Sequence, residues 1–348
     1  MGLVMIIISI MSHSCRYIPW RAPLASAVVL AALAGCSTGG SSGEDAAADP
    51  DAVDAAAHRA QPEEAALSVT DPRGEEIELD AAPERIVCLV GLCDDILTEL
   101  GLTPVATSNP DLLGHEAFLG EDHGVEVIPG GFGNEDAEAI VRHDPDLVIG
   151  LKGSHEGLAS SLEGTPVWLT DSRSWEDSVG YLRAAAALTG RGEQQAEAEQ
   201  AFYDKLAEAQ AAAEEEGFAS VKPLVLYGSD GAFQVDSEGS IVGGLLDEVV
   251  DYDWEDRSTG GHQAGGSDYS IEEILAGDPD VIFVESFTFS EDDAPLSEQL
   301  AEDPVWKRIG AVEAGRVHEV DLAPWATGRG TRSLGVVLDD ALTHLRDA

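Results

Sequence analysis

Hydrophobic and polar positions divide the chain into short apolar runs of strand length separated by amphipathic stretches, and one such combination occurs twice. The first copy is Glu138-Ala-Ile-Val-Arg-His-Asp-Pro-Asp-Leu-Val-Ile149 and the second is Glu272-Glu-Ile-Leu-Ala-Gly-Asp-Pro-Asp-Val-Ile-Phe283. In both, a Glu on an amphipathic stretch stands seven residues before a Pro, Asp-Pro-Asp follows, and an apolar, β-branched run comes next. Proline lacks a backbone donor and disfavours helix in the residue before it, so each copy reads as a helix, a sharp stop and a strand buried on both faces. One helix–strand unit at two distant places predicts an α/β protein with two similar lobes.

The rest of the pattern fits between and around these copies. Leu67 to Leu79 alternates on both sides of Pro72-Arg-Gly74 and predicts a hairpin. Strands are expected at 83–90, 103–107, 126–128, 166–170, 222–227 and 315–320, and short helices at 94–101, 176–188, 241–250 and 333–346. Residues 234–240 read as a turn region and 324–332 as a loop. Glu193 to Glu216 is rich in Ala, Glu and Gln with few breakers, a long helix of roughly 35 Å at the usual rise per residue. Its place between the lobes makes it a rigid connector. The expected segments are 1–36 as a targeting sequence, 37–66 as a disordered acidic tether, 67–190 as the first lobe, 191–218 as the connecting helix and 219–348 as the second lobe.

Charge narrows the partners. The 348 residues carry 66 acids against 19 bases, a net charge of −47, with lysine only at Lys152, Lys205, Lys222 and Lys307. A surface of that sign repels phosphate backbones and excludes nucleic-acid binding. At the N-terminus, Arg16 and Arg21 precede an apolar run from Ala22 to Ala34, too short to span a bilayer. Leu33-Ala34-Gly35-Cys36 resembles the lipobox of bacterial lipoproteins, which implies lipidation of Cys36 and anchoring on the outer face of the cell membrane. With Cys15 lost and Cys36 lipidated, Cys88 and Cys93 remain, as a disulfide, two buried thiols or a metal pair.

The ordered series Pro83-Glu-Arg-Ile-Val87, Glu138 with Asp144-Pro-Asp-Leu-Val-Ile149, Tyr269-Ser-Ile-Glu-Glu-Ile-Leu275, Asp278-Pro-Asp-Val-Ile282, Asp303-Pro-Val-Trp306 and Gly315-Arg-Val317 resembles the siderophore and cobalamin class (class III) of substrate-binding proteins of ABC importers. The resemblance runs from Leu67 onward. It implies two Rossmann-like lobes joined by a single long helix, a ligand cleft between them, and a monomer that docks to a permease dimer through one Glu on each lobe. Glu138 and Glu272 stand at those positions.

Ligands of open parallel sheets lie beyond the carboxyl ends of the strands. Lys152, Arg173, Arg257, Arg329 and Arg332 fall in or beside the segments expected there, which in so acidic a chain reads as a basic cleft for an anionic ligand. Trp175, Trp325, Phe132, Phe233 and Phe287 are the candidate flat walls. The expected ligand is an iron(III)–siderophore or ferric citrate. The segment Trp325 to Leu334 looks more like the ferric-chelate members of the class than the cobalamin members. Cobalamin, or haem with His155 or Tyr227 as axial ligand, is the alternative, as is a ligand sensor without a permease. No cofactor is expected, and no resident metal site, since His, Tyr and carboxylates do not cluster in sequence. An enzyme is not expected: no nucleophile elbow, zinc-protease helix or phosphate-binding loop occurs, and Ser154 next to His155 does not by itself form a nucleophile–base pair.

Overall fold

The computed structural model describes residues 53–257, 266–288 and 293–346, all within one compact unit that begins at Pro50. The targeting segment, Cys36 and residues 37–52 of the expected tether lie outside the described residues.

The hairpin forms as expected, with β1 (Ser68–Thr70) antiparallel to β2 (Glu76–Glu78). The first lobe then runs β3 (Ile86–Cys88), α1 (Gly91–Glu99), β4 (Ala106–Thr107), α2 (Pro110–Gly114), β5 (Glu126–Val127), the hairpin β6 (Gly130–Gly131) and β7 (Asn134–Glu135), α3 (Ala137–Arg142), β8 (Leu147–Leu151), α4 (Glu156–Ala159), β9 (Val167–Thr170) and α5 (Trp175–Thr189). Its sheet has the order β5-β4-β3-β8-β9, all parallel. Alternation along β3 sends Ile86 and Cys88 into one core cluster and Val87 into another, so both faces of this sheet are covered.

The connector is α6 (Gly192–Glu216), which ends at Gly217 in the left-handed conformation, where glycine carries no Cβ penalty. The second lobe follows as β10 (Pro223–Ser229), β11 (Ala232–Asp236), α7 (Ile241–Asp247), β12 (Gly266–Ser267), α8 (Ile271–Gly277), β13 (Val281–Ser286), α9 (Leu296–Leu300), α10 (Gly310–Glu313), β14 (Val317–Glu319) and α11 (Thr331–Arg346). Its sheet order is β12-β11-β10-β13-β14, with β10, β13 and β14 parallel. Two segments differ from expectation. Residues 232–236, expected within and beside a turn, form strand β11, because Asp230 and Gly231 take positive φ and fold the chain straight back on β10. The expected loop at 324–332 contains one wide helical turn, Ala323–Gly328, ahead of α11.

The two repeat copies are built alike. Asp136 and Ser270 cap α3 and α8 through their side chains, which leaves Glu138 and Glu272 exposed at the same second helical position. Asp144 and Asp278 both end their helices at positive φ, 48° and 49°, a conformation Asp tolerates better than most residues. The second Asp of each Asp-Pro-Asp then anchors the neighbouring strand. Asp146 accepts from the amides of Glu84 and Arg85 at 2.8 and 2.9 Å, and Asp280 from that of Lys222 at 3.0 Å.

Residues 53–66 are not tether. They lie along α6 from the second lobe to the first. The Val53 amide donates to Glu248, Ala55 is fully buried in the second lobe's core, and the Ala66 amide donates to the carbonyl of Ala187 at the end of α5. Between these points His58 stacks on Tyr203 at 3.5 Å and meets the buried Glu199 at 2.7 Å. A Cβ at Gly192 would stand 2.2 Å from the Glu63 carbonyl oxygen, so only glycine lets the strap approach the helix there. Sequence composition, which is acidic and small here, carried no sign of this because the packing surface belongs to α6.

Candidate ligand-binding cleft

The lobes meet along a seam built around Asp95. This carboxylate, on α1 of the first lobe, is fully buried and accepts from the backbone amides of Gly330, Arg332 and Ser333 at 3.2, 3.2 and 3.0 Å. It therefore caps the last helix of the other lobe. Burial raises the Asp95 carboxyl and the bonds from Ser333 and Arg332 pull it back. Arg332 reinforces the seam, donating to Glu99 at 3.1 Å and to the Ala117 carbonyl at 3.0 Å. Arg332, expected to hold ligand, is thus committed to joining the lobes.

Several other expectations for ligand contacts change with the structure. Trp175 is buried in the second lobe's core against Phe202 and Tyr203, and Trp325 is buried against Phe283 with its indole N–H on Asp340. Both are core plugs, not cleft walls. Arg257 lies flat over the ring of Tyr269 and pairs with Glu273 at 2.9 Å. Both ring nitrogens of His155 are taken, Nδ1 by the Leu151 amide at 2.8 Å and Nε2 by Glu135 at 3.1 Å, so His155 is not free to ligate haem iron. Burial works to raise Glu135, and the bond and charge of His155 together with backbone amides outweigh it, leaving that carboxyl below its ordinary value. Cys88 and Cys93 are joined as a disulfide at the start of α1, their Cα atoms 5.4 Å apart. Among the described residues no group of three or more His, Cys, Asp or Glu is placed to hold a metal ion.

What remains at the carboxyl ends of the strands is a smaller set. In the first lobe Lys152 and Arg173 converge on Asp171, each at 3.1 Å, beyond β8 and β9. Burial works to raise Asp171 and the two cations outweigh it. The two cations share this carboxylate, with Arg173 the more exposed, and the Asp177 carboxylate accepts from the Arg173 amide at 2.9 Å. Phe132, at the tip of the β6–β7 hairpin, stands exposed with its ring edge-on to His155. In the second lobe Tyr227 and Phe287 are half-buried, 6.3 Å apart and edge to face, and Arg329 is half-buried beside them. Tyr227 donates its hydroxyl to Gln234 at 2.8 Å and is pushed up by burial, so it is a neutral phenol at physiological pH. Phe233 packs against the second lobe's core.

A cavity of about 480 Å³ opens between the lobes beyond β4 and β14, lined by Asp111, His115, Glu121 and His123 on one side and by Asp321 on the other. His115 and His123 each accept a backbone amide at Nδ1, from Ala117 at 3.1 Å and Val125 at 3.0 Å. This part of the cleft is acidic. The expected cations left at the strand ends are Lys152, Arg173 and Arg329, and the acidic portion was not legible in sequence, because its residues are scattered through α2, the loop after it and a distant turn.

Two similar α/β lobes, one connecting helix and a cleft at the carboxyl ends of both sheets define a ligand-binding protein of the bilobed class. Residues 86–323 match the family described as Periplasmic binding protein, from β3 in one lobe to the start of the turn before α11 in the other, and the chain belongs to that family. Among its relatives is the probable siderophore-binding lipoprotein YfiY of Bacillus subtilis (strain 168), 27% identical over 293 residues, which cover 80% of this chain and 87% of the relative. Another is the putative ABC transporter substrate-binding lipoprotein YhfQ of the same organism, 23% identical over 271 residues, covering 74% and 82%. The crystal structure of Staphylococcus aureus SirA complexed with staphyloferrin B has the same fold, with a TM-score of 0.65 at 20% identity over 81% of this chain and 99% of that one. Among the described residues no helix is long and apolar enough to cross a membrane.

Proposed function

We propose that the protein is an extracytoplasmic lipoprotein, anchored through Cys36, that captures an anionic ferric chelate, an iron(III)–siderophore or ferric citrate, and delivers it to an ABC permease. The observation that carries this reading is the presence of both cations and aromatic rings at the carboxyl ends of the two sheets: Lys152, Arg173 and the exposed Phe132 in one lobe, Arg329 with Tyr227 and Phe287 in the other. Guanidinium and ammonium groups bind the chelate's oxygens by charge-assisted hydrogen bonds, and the rings pack on its apolar faces. The relatives named for siderophore binding support the ligand class. No covalent chemistry is involved.

Glu138 and Glu272, exposed at equivalent positions on α3 and α8, dock the loaded protein on cationic groups of the permease. Replacing both by Ala is expected to abolish iron uptake by cells while leaving ligand affinity unchanged; undiminished uptake would remove the docking role. The ligand reading is tested by tryptophan-fluorescence titration of the unlipidated chain against ferric citrate, a hydroxamate and a catecholate ferric siderophore, haem and cobalamin. Saturable binding of an anionic ferric chelate, weakened about tenfold or more by Arg329→Ala, is expected, since losing a charge-assisted bond costs about 1.5–3 kcal/mol. Tight binding of cobalamin or haem alone would replace the ligand class and keep the fold.

A further inference from the structure

The second lobe's sheet carries a polar row on the face that looks toward the seam. Tyr227 is in register with Gln234 on β11 and with Glu285 on β13, so the three side chains stand side by side on one face. Asp236 and Phe283, each two residues away along its strand, lie on the same face one step down. Trp325 packs on Phe283 at 5.1 Å, which places the turn Ala323–Gly328 over this face, and Arg329 follows directly with its backbone at positive φ and its Nε bonded to the Ala326 carbonyl at 2.7 Å. Glu285 is 2% exposed and its Oε1 has no hydrogen-bond partner; Asp236 is 7% exposed. Two carboxyls are thus withdrawn from water on the face covered by the turn that leads into the half-buried Arg329.

We propose that Asp236 and Glu285 act as the resident counter-charge of Arg329 in the empty cleft, and that an anionic ligand takes Arg329 over while this carboxyl pair takes up a proton from solvent. The proposal rests on the ligand reading above. Burial pushes Asp236 up to about 6, with Arg329 and Ser240 opposing. Burial and the charge of Asp236 push Glu285 up to about 8, with Arg329 opposing. Near pH 7 the pair therefore holds one proton and one negative charge, which Arg329 balances. A ligand anion that engages Arg329 removes that balance and adds its own field, so Asp236 protonates as well. Below about pH 6 both carboxyls are already neutral and Arg329 is free for the ligand. Affinity for an anion is highest there and falls as pH rises. The other groups facing the pair do not take this role. Tyr227 and Tyr252 are neutral phenols pushed up by burial, Asp268 is held by Gln234, and His318, in register with Phe283, stacks at 4.2 Å on His344 of α11, which lies against Phe283 rather than against the carboxyls' own strand positions. Asp236 and Glu285 are positioning residues, since they act on the ligand through Arg329.

The test is calorimetric titration of the unlipidated protein with the ferric chelate that binds best from the panel, in phosphate and in Tris at pH 7.0. Wild type is expected to take up close to one proton per ligand. Asp236→Asn with Glu285→Gln is expected to take up none and to bind with an affinity independent of pH between 6 and 8, after the chelate's own titration is subtracted. Equal proton uptake by wild type and double variant, or none by wild type, overturns the proposal while leaving ligand binding intact. A readout without ligand separates it from the ligand reading. In the empty protein, Arg329→Met should add one protonated carboxyl at pH 7.0 in the infrared spectrum, and the addition should vanish in the Asp236→Asn background. An unchanged carboxyl band would sink the proposal whatever the ligand is.

Discussion

Asp95 and Glu285 are carboxylates withdrawn from water to nearly the same extent, at 0% and 2% exposure, and their surroundings treat them in opposite ways. Asp95 receives three backbone amides and sits at the N-terminus of a sixteen-residue helix, where the helix dipole favours negative charge. Glu285 has an oxygen with no partner and a second carboxyl nearby. Burial alone therefore does not mark a functional group. A buried charge with its donors in place fastens structure together, and one left short of donors is held in a costly state that a ligand or a proton can relieve.

The largest effect that would break this contrast is at Asp95. Asp95→Ala strips the α11 N-terminus of its cap and the seam of three charge-assisted bonds, and is expected to lower stability by about 3 kcal/mol in urea unfolding. A loss under 1 kcal/mol would mean that the seam does not depend on it. Next is the approach that makes those bonds possible. A Cβ at Gly330 would stand 2.3 Å from Asp95 Oδ1, so Gly330→Ala is expected to cost about 2 kcal/mol by the same measurement. The smallest effect has the opposite sign. Glu285→Gln keeps the shape and removes the ionisable group. The folded protein raises the Glu285 carboxyl to about 8, so the folded state binds the proton more tightly than the unfolded one. The wild type then holds its full stability below the ordinary carboxyl range and loses it as pH rises toward 8. Glu285→Gln should match wild type near pH 4 and be increasingly more stable up to about pH 8, read as melting temperature against pH. A variant less stable than wild type at pH 8 would show Glu285 to be a satisfied structural group like Asp95.

Much of the fold was legible because it depends on local chemistry repeated in sequence. The two Asp-Pro-Asp stops, the left-handed Asp144 and Asp278, the matched caps ahead of Glu138 and Glu272 and the long uninterrupted α6 all follow from residues a few positions apart. The cleft was less legible. Position beyond the strand ends grouped Lys152, Arg173, Arg257, Arg329 and Arg332 together, with Trp175 and Trp325, yet Trp175, Trp325, Arg257 and Arg332 find their partners inside the protein. A tryptophan at the start of a helix reads the same whether its ring faces a ligand or plugs a core, and an arginine reads the same whether its partner is a ligand or Glu99 of the other lobe. The strap over 53–66 was illegible for a related reason: Ala55 and His58 have ordinary loop surroundings in sequence and find their partners on α6 and α7.

By itself the sequence determined the two-lobe α/β architecture, the connecting helix and the exposed glutamate on each lobe, since helix stops, strand runs and caps are set by neighbouring residues. Tertiary structure alone decided which of the scarce cations are spent inside the protein and which are left at the strand ends. It brought Asp95 to a helix end 235 residues away and set Asp236 and Glu285 on one sheet face under the turn that precedes Arg329. Those outcomes rest on pairing and desolvation between distant segments, which no local pattern encodes.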